Sequence, residues 1–337
     1  MSEMEDERQE PALDNAARTE YTATPKETTS VETQPLGIRR SDADGRPMID
    51  GLAGRASVFG FGFEPITDAI QAVAENYLGD ASSLEPSESS HDRLPESLSE
   101  FLNDSPSITA DSILLMPSAD EAVDRAIGLA RNRGSDTAFR TIAFVGSDHG
   151  RTGMCRTASG RPELSSGFGP MMAGFAHVPA GDLDAVRNSI DEQTCCVLLS
   201  PIDFADAARP VDASFLTGVR ELCNQHDVLL IIDETRITFG ASGKPFSFAS
   251  IADIKADVVV VSAGLFGGLP GGLIIAAERA TGGAVVDTAR YPLQSTVAAA
   301  TLSAMGQQDL PGSILDSMHE FAVALAESMS EFEFVRD

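Results

Sequence analysis

Val228-Leu229-Leu230-Ile231-Ile232-Asp233 is the stretch whose pattern decides the fold. Five apolar side chains in succession leave neither face of a strand polar, as expected of a strand covered on both sides, and an acid ends the run. Moving outward, residues 258–262 and 195–200 repeat this pattern, and shorter apolar runs fall at 112–116, 141–145, 175–178 and 272–277. Amphipathic stretches lie between them at 119–131, 182–190 and 213–226, the last following Asp212 as an N-cap. Strands alternating with helices predict an α/β fold with a mostly parallel, doubly wound sheet. Ligands of such sheets sit at the carboxyl ends of the strands, which directs attention to Asp233, residues 262–264 and residues 147–150.

The composition narrows the choice of partners. The 337 residues carry 51 acidic and 24 basic side chains, a formal charge of −27. Such a chain has no surface for neutralising phosphates, so nucleic acid and anionic membrane are excluded as partners. No apolar run approaches the ~18 residues of a membrane helix, and the acidic start of the chain is no secretory signal, so a cytoplasmic protein is expected. Residues 1–35 hold nine acidic and three basic groups and almost no large apolar residue. That segment is expected to be a disordered acidic tail. It leaves −21 on residues 36–337, so the folded part is acidic as well. The four cysteines, 155, 195, 196 and 223, fall in no metal-binding spacing and are read as buried free thiols. Cys195 and Cys196 are adjacent in one strand and are expected to point to opposite faces.

Taken in order, the strand-end segments resemble the class III pyridoxal-phosphate aminotransferases, and most of all the acetylornithine/ornithine branch. Ile232-Asp233-Glu234-Thr235-Arg236-Ile237-Thr238-Phe239-Gly240-Ala241-Ser242-Gly243-Lys244 resembles that family's (I/F)DEVQTGFGRTGK. Ser262-Ala263-Gly264-Leu265-Phe266-Gly267-Gly268-Leu269-Pro270 resembles its AKGLGGGLP segment. Ser118-Ala119-Asp120-Glu121-Ala122 stands where the family has SGAEA, and Asp148-His149-Gly150-Arg151-Thr152 where it has (Y/F)HGRT. Gly167-Phe168-Gly169-Pro170 through His177-Val178-Pro179 is similar to GFGPLLPGFxHVP. The resemblance implies a fold-type-I large domain, pyridoxal 5'-phosphate as cofactor, and a homodimer; a heterodimer with an active relative is the alternative expected of a non-catalytic chain.

The same resemblance assigns roles residue by residue. Asp233 matches the carboxylate that keeps the pyridine nitrogen protonated, with strand-end capping as the plain alternative. Ser118 matches a phosphate-contacting serine and also caps the helix behind it; Ala119 replaces the glycine that follows. Thr288 matches a threonine that reaches a neighbouring subunit's phosphate. Asp148 replaces the aromatic stacked on the ring, Thr235 the valine on its other face, Arg236 the glutamine at the ring hydroxyl, and Ser200-Pro201 a Glu-Pro pair. His149 is read as a fixed structural histidine, with an acid–base or metal pairing to a nearby carboxylate as the alternative. The glycines at 264, 267, 268, 271 and 272 are read as a close-packed turn rather than a phosphate loop.

The position of the Schiff-base lysine is held by Ala263. Of the three lysines, Lys26 lies in the tail, Lys244 in a loop, and Lys255 at the far end of a strand. The expectation is a non-catalytic homologue that acts as a binding or regulatory subunit; the alternative is an aminotransferase of the same type with residual or non-covalent cofactor use. The expected organisation is the tail (1–35), a remnant of an N-terminal small-domain segment (36–60), a large domain (61–310), and a C-terminal helix entering a largely missing small domain (311–337).

Overall fold

The computed structural model describes residues 36–42, 44–51, 53, 57–76, 93–102, 105–133, 137–203, 208–282 and 291–329. The acidic tail, Lys26 and Thr288 lie outside the described residues. All seven expected strands form, and they build one sheet: β1 (Ser112–Met116), β2 (Arg140–Phe144), β3 (Phe175–Val178), β4 (Thr194–Leu199), β5 (Leu229–Glu234), β6 (Val258–Val261) and β7 (Gly272–Ala276). Their spatial order is β1-β7-β6-β5-β4-β2-β3. β7 runs antiparallel to both its neighbours, and every other pairing among β2–β6 is parallel.

Side chains on the central strands alternate between two apolar cores. Leu229 and Ile231 of β5, with Val258 and Val260 of β6, pack on one face against helix α1 (Ala119–Arg133), through Ala122, Val123, Ala126 and Ile127. Leu230, Ile232, Val259 and Val261 pack on the other face against α2 (Ala213–Gln225), together with Leu98, Leu302 and a cluster of Phe239, Phe246 and Phe248. Both faces are therefore dry, as the uniform apolar runs require.

Cap and turn chemistry accounts for several boundaries. Asp182 accepts a hydrogen bond from the Ala185 N–H at 2.8 Å and caps the helix Leu183–Ser189. Asp212 occupies the N-cap position of α2 as expected, although its carboxylate makes no capping hydrogen bond. The glycine-rich stretch between β6 and β7 is a tight turn, with Gly264, Gly267 and Gly268 at positive φ. At Gly272 a β-carbon would lie 2.5 Å from the Ser118 carbonyl oxygen, so glycine lets the first turn of α1 rest on β7.

Cys195 and Cys196 depart from regular alternation. Arg140 pairs with Thr194 but Thr141 pairs with Cys196, leaving Cys195 as the extra residue of a β-bulge. Both thiols consequently lie on the α1 side of the sheet, not on opposite faces. All four cysteines are buried. Among the described residues no helix is long and apolar enough to cross a membrane.

Candidate functional site

Three segments converge at the carboxyl ends of β2, β5 and β6. β5 carries Asp233 to its end, where the carboxylate is only 2% exposed. One oxygen, Oδ2, lies 2.6 Å from His149 Nδ1; the other, Oδ1, accepts from the Thr235 N–H at 2.9 Å and from the Thr235 hydroxyl at 2.7 Å. A carboxylate is an acceptor, so the His149 tautomer that fits carries its proton on Nδ1. His149 is itself buried, its N–H donates to Ser159 Oγ at 3.1 Å, and its Nε2 is buried without a hydrogen-bond partner among the described residues. His149 is thus a buried, fixed histidine, and the partner that fixes its ring is the Asp233 carboxylate.

Glu234 follows immediately and faces away from this pair. Its Oε1 accepts from the Ser247 hydroxyl and the Phe248 N–H, both at 2.8 Å, and its Oε2 from the Ser247 N–H at 2.9 Å. Burial pushes its carboxyl up to about 7, against the opposing pull of those three donors. Glu234 thereby ties the segment after β5 to the helix Phe248–Ile251.

Beside Thr235, which is hydrogen-bonded to Asp233, opens a cavity of about 510 Å³. Thr235, Arg236 and Ala263 line one side, Asp148, Gly150 and Arg151 another, and Ala119 and Asp120 the start of α1. Arg236 Nη1 and Asp148 Oδ2 are 2.6 Å apart, so the two replacements identified in the sequence meet as an ion pair within the cavity wall. Ala263 is held by its backbone: its N–H donates to the Thr235 carbonyl at 3.3 Å and its carbonyl accepts from Phe239 N–H at 2.9 Å. Among the described residues no lysine lines the cavity. Lys244 donates to the Ala249 carbonyl at 2.8 Å beside a different cavity, and Lys255 precedes β6 at the opposite end of the sheet.

Ser118 caps α1, its hydroxyl accepting from the Glu121 N–H at 3.2 Å. The structure thus brings Ala119, Asp148, Arg236 and Ala263 to one cavity, with His149 and Asp233 joined to it through Thr235. Asp120, for which the resemblance implies no role, also lines the cavity. Its Oδ2 accepts from the Arg151 N–H at 3.0 Å. Gly150, at φ +123°, must be glycine here, because a β-carbon would fall 2.4 Å from Asp120 Oδ1. The signal that could have found it was an acid standing where SGAEA has its first alanine, in the first turn of a helix.

Comparison with known proteins places the chain in a family. The sequence model described as Aminotransferase class-III matches residues 21–337. Acetylornithine aminotransferase of Methanopyrus kandleri is 35% identical over 247 residues, which are 72% of this chain and 60% of that protein. The enzyme of the same name from Rhodobacter capsulatus is 34% identical over 183 residues, 53% of this chain and 46% of that protein. The chain therefore spans between 46% and 60% of the length of these two relatives. Among solved structures, ornithine aminotransferase from Toxoplasma gondii superposes with a TM-score of 0.77 at 20% identity, covering 94% of this chain and 77% of that one. A Bacillus anthracis aminotransferase gives 0.77 at 21% identity, over 92% and 76%. At such identities the likeness shows a shared fold.

Proposed function

This chain belongs to the class-III aminotransferase family, and from that premise we propose that it is a non-catalytic member, a binding or regulatory subunit that keeps the fold and has lost the covalent chemistry. The observation that carries the proposal is the cavity at the ends of β5 and β6, where Ala263 stands and no lysine of the described residues enters. The family's cofactor, pyridoxal 5'-phosphate, supplies an electron sink when a lysine amine anchors it and carries the proton of the transfer. A methyl group can do neither.

The other residues around the cavity support the same reading, and together they do not fit that cofactor on a lysine. The Asp233 oxygen not bonded to His149 is already engaged by Thr235, whose hydroxyl competes with a ring nitrogen for it. The Arg236–Asp148 pair sets two charges where the resemblance implies an amide and an aromatic face. At the start of α1, the Asp120 carboxylate opposes the binding of a phosphate dianion, which helix N-termini otherwise favour. What this cavity's own residues do is hold one another: Asp148 and Arg236 form an ion pair, and Thr235 is hydrogen-bonded to Asp233.

The role proposed is exercised in a dimer, with a second copy or with an active relative, in the cytoplasm. The decisive experiment is reduction of the purified chain with borohydride in the presence of pyridoxal phosphate, followed by digestion and mass spectrometry. No phosphopyridoxyl adduct is expected on any lysine, and an adduct at high occupancy on one lysine would overturn the proposal. One observation favours a second reading: the His149–Asp233 pair is intact, with the carboxylate buried as a ring-nitrogen partner would be. In that reading the chain is an acetylornithine/ornithine-type aminotransferase that uses the cofactor without a covalent anchor. Saturable visible absorption on titration with pyridoxal phosphate, together with turnover in a coupled glutamate assay, would select it.

A further inference from the structure

We propose that Cys195 and Cys196 form a two-thiol oxidation site in which a hydroperoxide oxidises Cys195 and Cys196 then closes a disulfide onto it. The bulge in β4 creates the site. In a regular strand the two side chains would diverge, whereas here the extra residue turns both to the α1 face, with their sulfur atoms 3.8 Å apart, in contact. Cys195 Sγ lies 3.3 Å from the Arg140 carbonyl oxygen and Cys196 Sγ 3.4 Å from Thr141 Oγ1, so both sulfurs are fixed by the neighbouring strand β2.

The two thiols are chemically unequal. Cys195 retains a trace of exposure, 5%, next to the first residue of β4, whereas Cys196 has none. A small oxidant therefore meets Cys195 first. The guanidinium of Arg131, from the last turn of α1, acts electrostatically on Cys195. Arg131 Nη2 donates to the Gly174 carbonyl at 3.3 Å and the group stacks over Phe175, while its Nε is buried with no hydrogen-bond partner among the described residues. The Cys196 thiol as a donor, with Arg131, holds the Cys195 thiol below its ordinary range; Cys196 itself is held up by Cys195 and by burial. This is the asymmetry of an attacking and a resolving cysteine. Burial instead pushes Cys223 up to about 12 and Cys155 higher still, so those thiols remain reduced.

The Cys195 thiolate attacks one peroxide oxygen, the O–O bond breaks, and the departing hydroxide takes a proton to become water. Cys195 is then a sulfenic acid. The Cys196 sulfur attacks the Cys195 sulfur as its own proton leaves with the sulfenic hydroxyl as a second water. The net change is the two-electron oxidation of two thiols to one disulfide and the reduction of peroxide to water. Adjacent Cα atoms are about 3.8 Å apart, closer than the roughly 4.4–6.8 Å of ordinary disulfides, so the oxidised pair is strained and readily reduced again by an external thiol. The site is therefore reversible, and it lies at the end of the sheet remote from the cavity of Ala263.

The test uses the full chain treated with hydrogen peroxide, unfolded in N-ethylmaleimide, digested and weighed. The expected peptide spanning both residues is unlabelled and lighter by two hydrogens, and it regains both labels after dithiothreitol; Cys155 and Cys223 stay labelled throughout. Cys196→Ser should stop at a dimedone-trappable sulfenic acid on Cys195, and Arg131→Gln should slow the reaction about tenfold through the smaller thiolate fraction. If neither variant folds, the mass of the wild-type peptide decides alone. Two labels surviving peroxide, Cys195 carried to the sulfinic acid with Cys196 still free, or earlier oxidation of Cys155 or Cys223 would each overturn the proposal.

Discussion

Ala263 decides the chemistry proposed for this chain, but the residues around it decide whether the loss is reversible. Introducing lysine alone, as Ala263→Lys, should leave transamination of acetylornithine or ornithine near background in a coupled glutamate assay. The new amine would enter a cavity crossed by the Arg236–Asp148 pair, with Thr235 on the Asp233 carboxylate. Misplacement of reacting atoms by about 1 Å costs ~100-fold in rate. Robust turnover from that one change would mean that the surrounding substitutions are neutral. Glu234 supports a second prediction, about pH. Its carboxyl is raised from 4.5 to about 7 by burial, so the folded chain binds this proton more tightly than the unfolded one. The contribution is fully present below about pH 4.5 and is lost as pH rises toward about 7, at most about 3 kcal/mol. Glu234→Gln should flatten the dependence of the melting temperature on pH across that window, and an unchanged slope would count against the assignment.

At the scale of elements, the contact of α1 with β7 sets the site's floor. Gly272→Ala would place a methyl 2.5 Å from the Ser118 carbonyl oxygen and 2.7 Å from Ala122 Cβ, both in the first turn of α1. Neither neighbour is a flexible chain end, so the helix start must shift. A loss of about 1–3 kcal/mol in urea unfolding is expected. The elements of the sheet were legible because two-sided burial writes itself as unbroken apolar runs, and each of the seven strands falls within a residue or so of its expected bounds. The helix Pro292–Gln307 was not, because Val297, Ala298, Leu302, Ala304 and Met305 bury more than one side of it and leave no polar face to mark a period. The bulge at Cys195 was equally hidden, since one extra residue in a uniformly apolar strand changes register without changing composition.

At the scale of the whole molecule, the helix Leu310–Met329 buries none of its residues, and Leu315, Met318, Phe321 and Leu325 are all about half exposed or more. Together with the dimer proposed above, this predicts self-association at micromolar concentration in light scattering, and a stable monomer there would count against it. The sequence by itself determined the sheet, and it singled out the strand ends and the residues expected to be replacements there, because apolar periodicity and strand-end motifs are local properties of the chain. Only the tertiary structure decided what the replacements do. Asp148 and Arg236 are 88 positions apart in sequence and His149 and Asp233 are 84, and nothing local says which acid meets which base. That pairing follows from the parallel crossovers that bring the carboxyl ends of β2 and β5 to the same end of the sheet, where the buried His149 and Asp233 find each other.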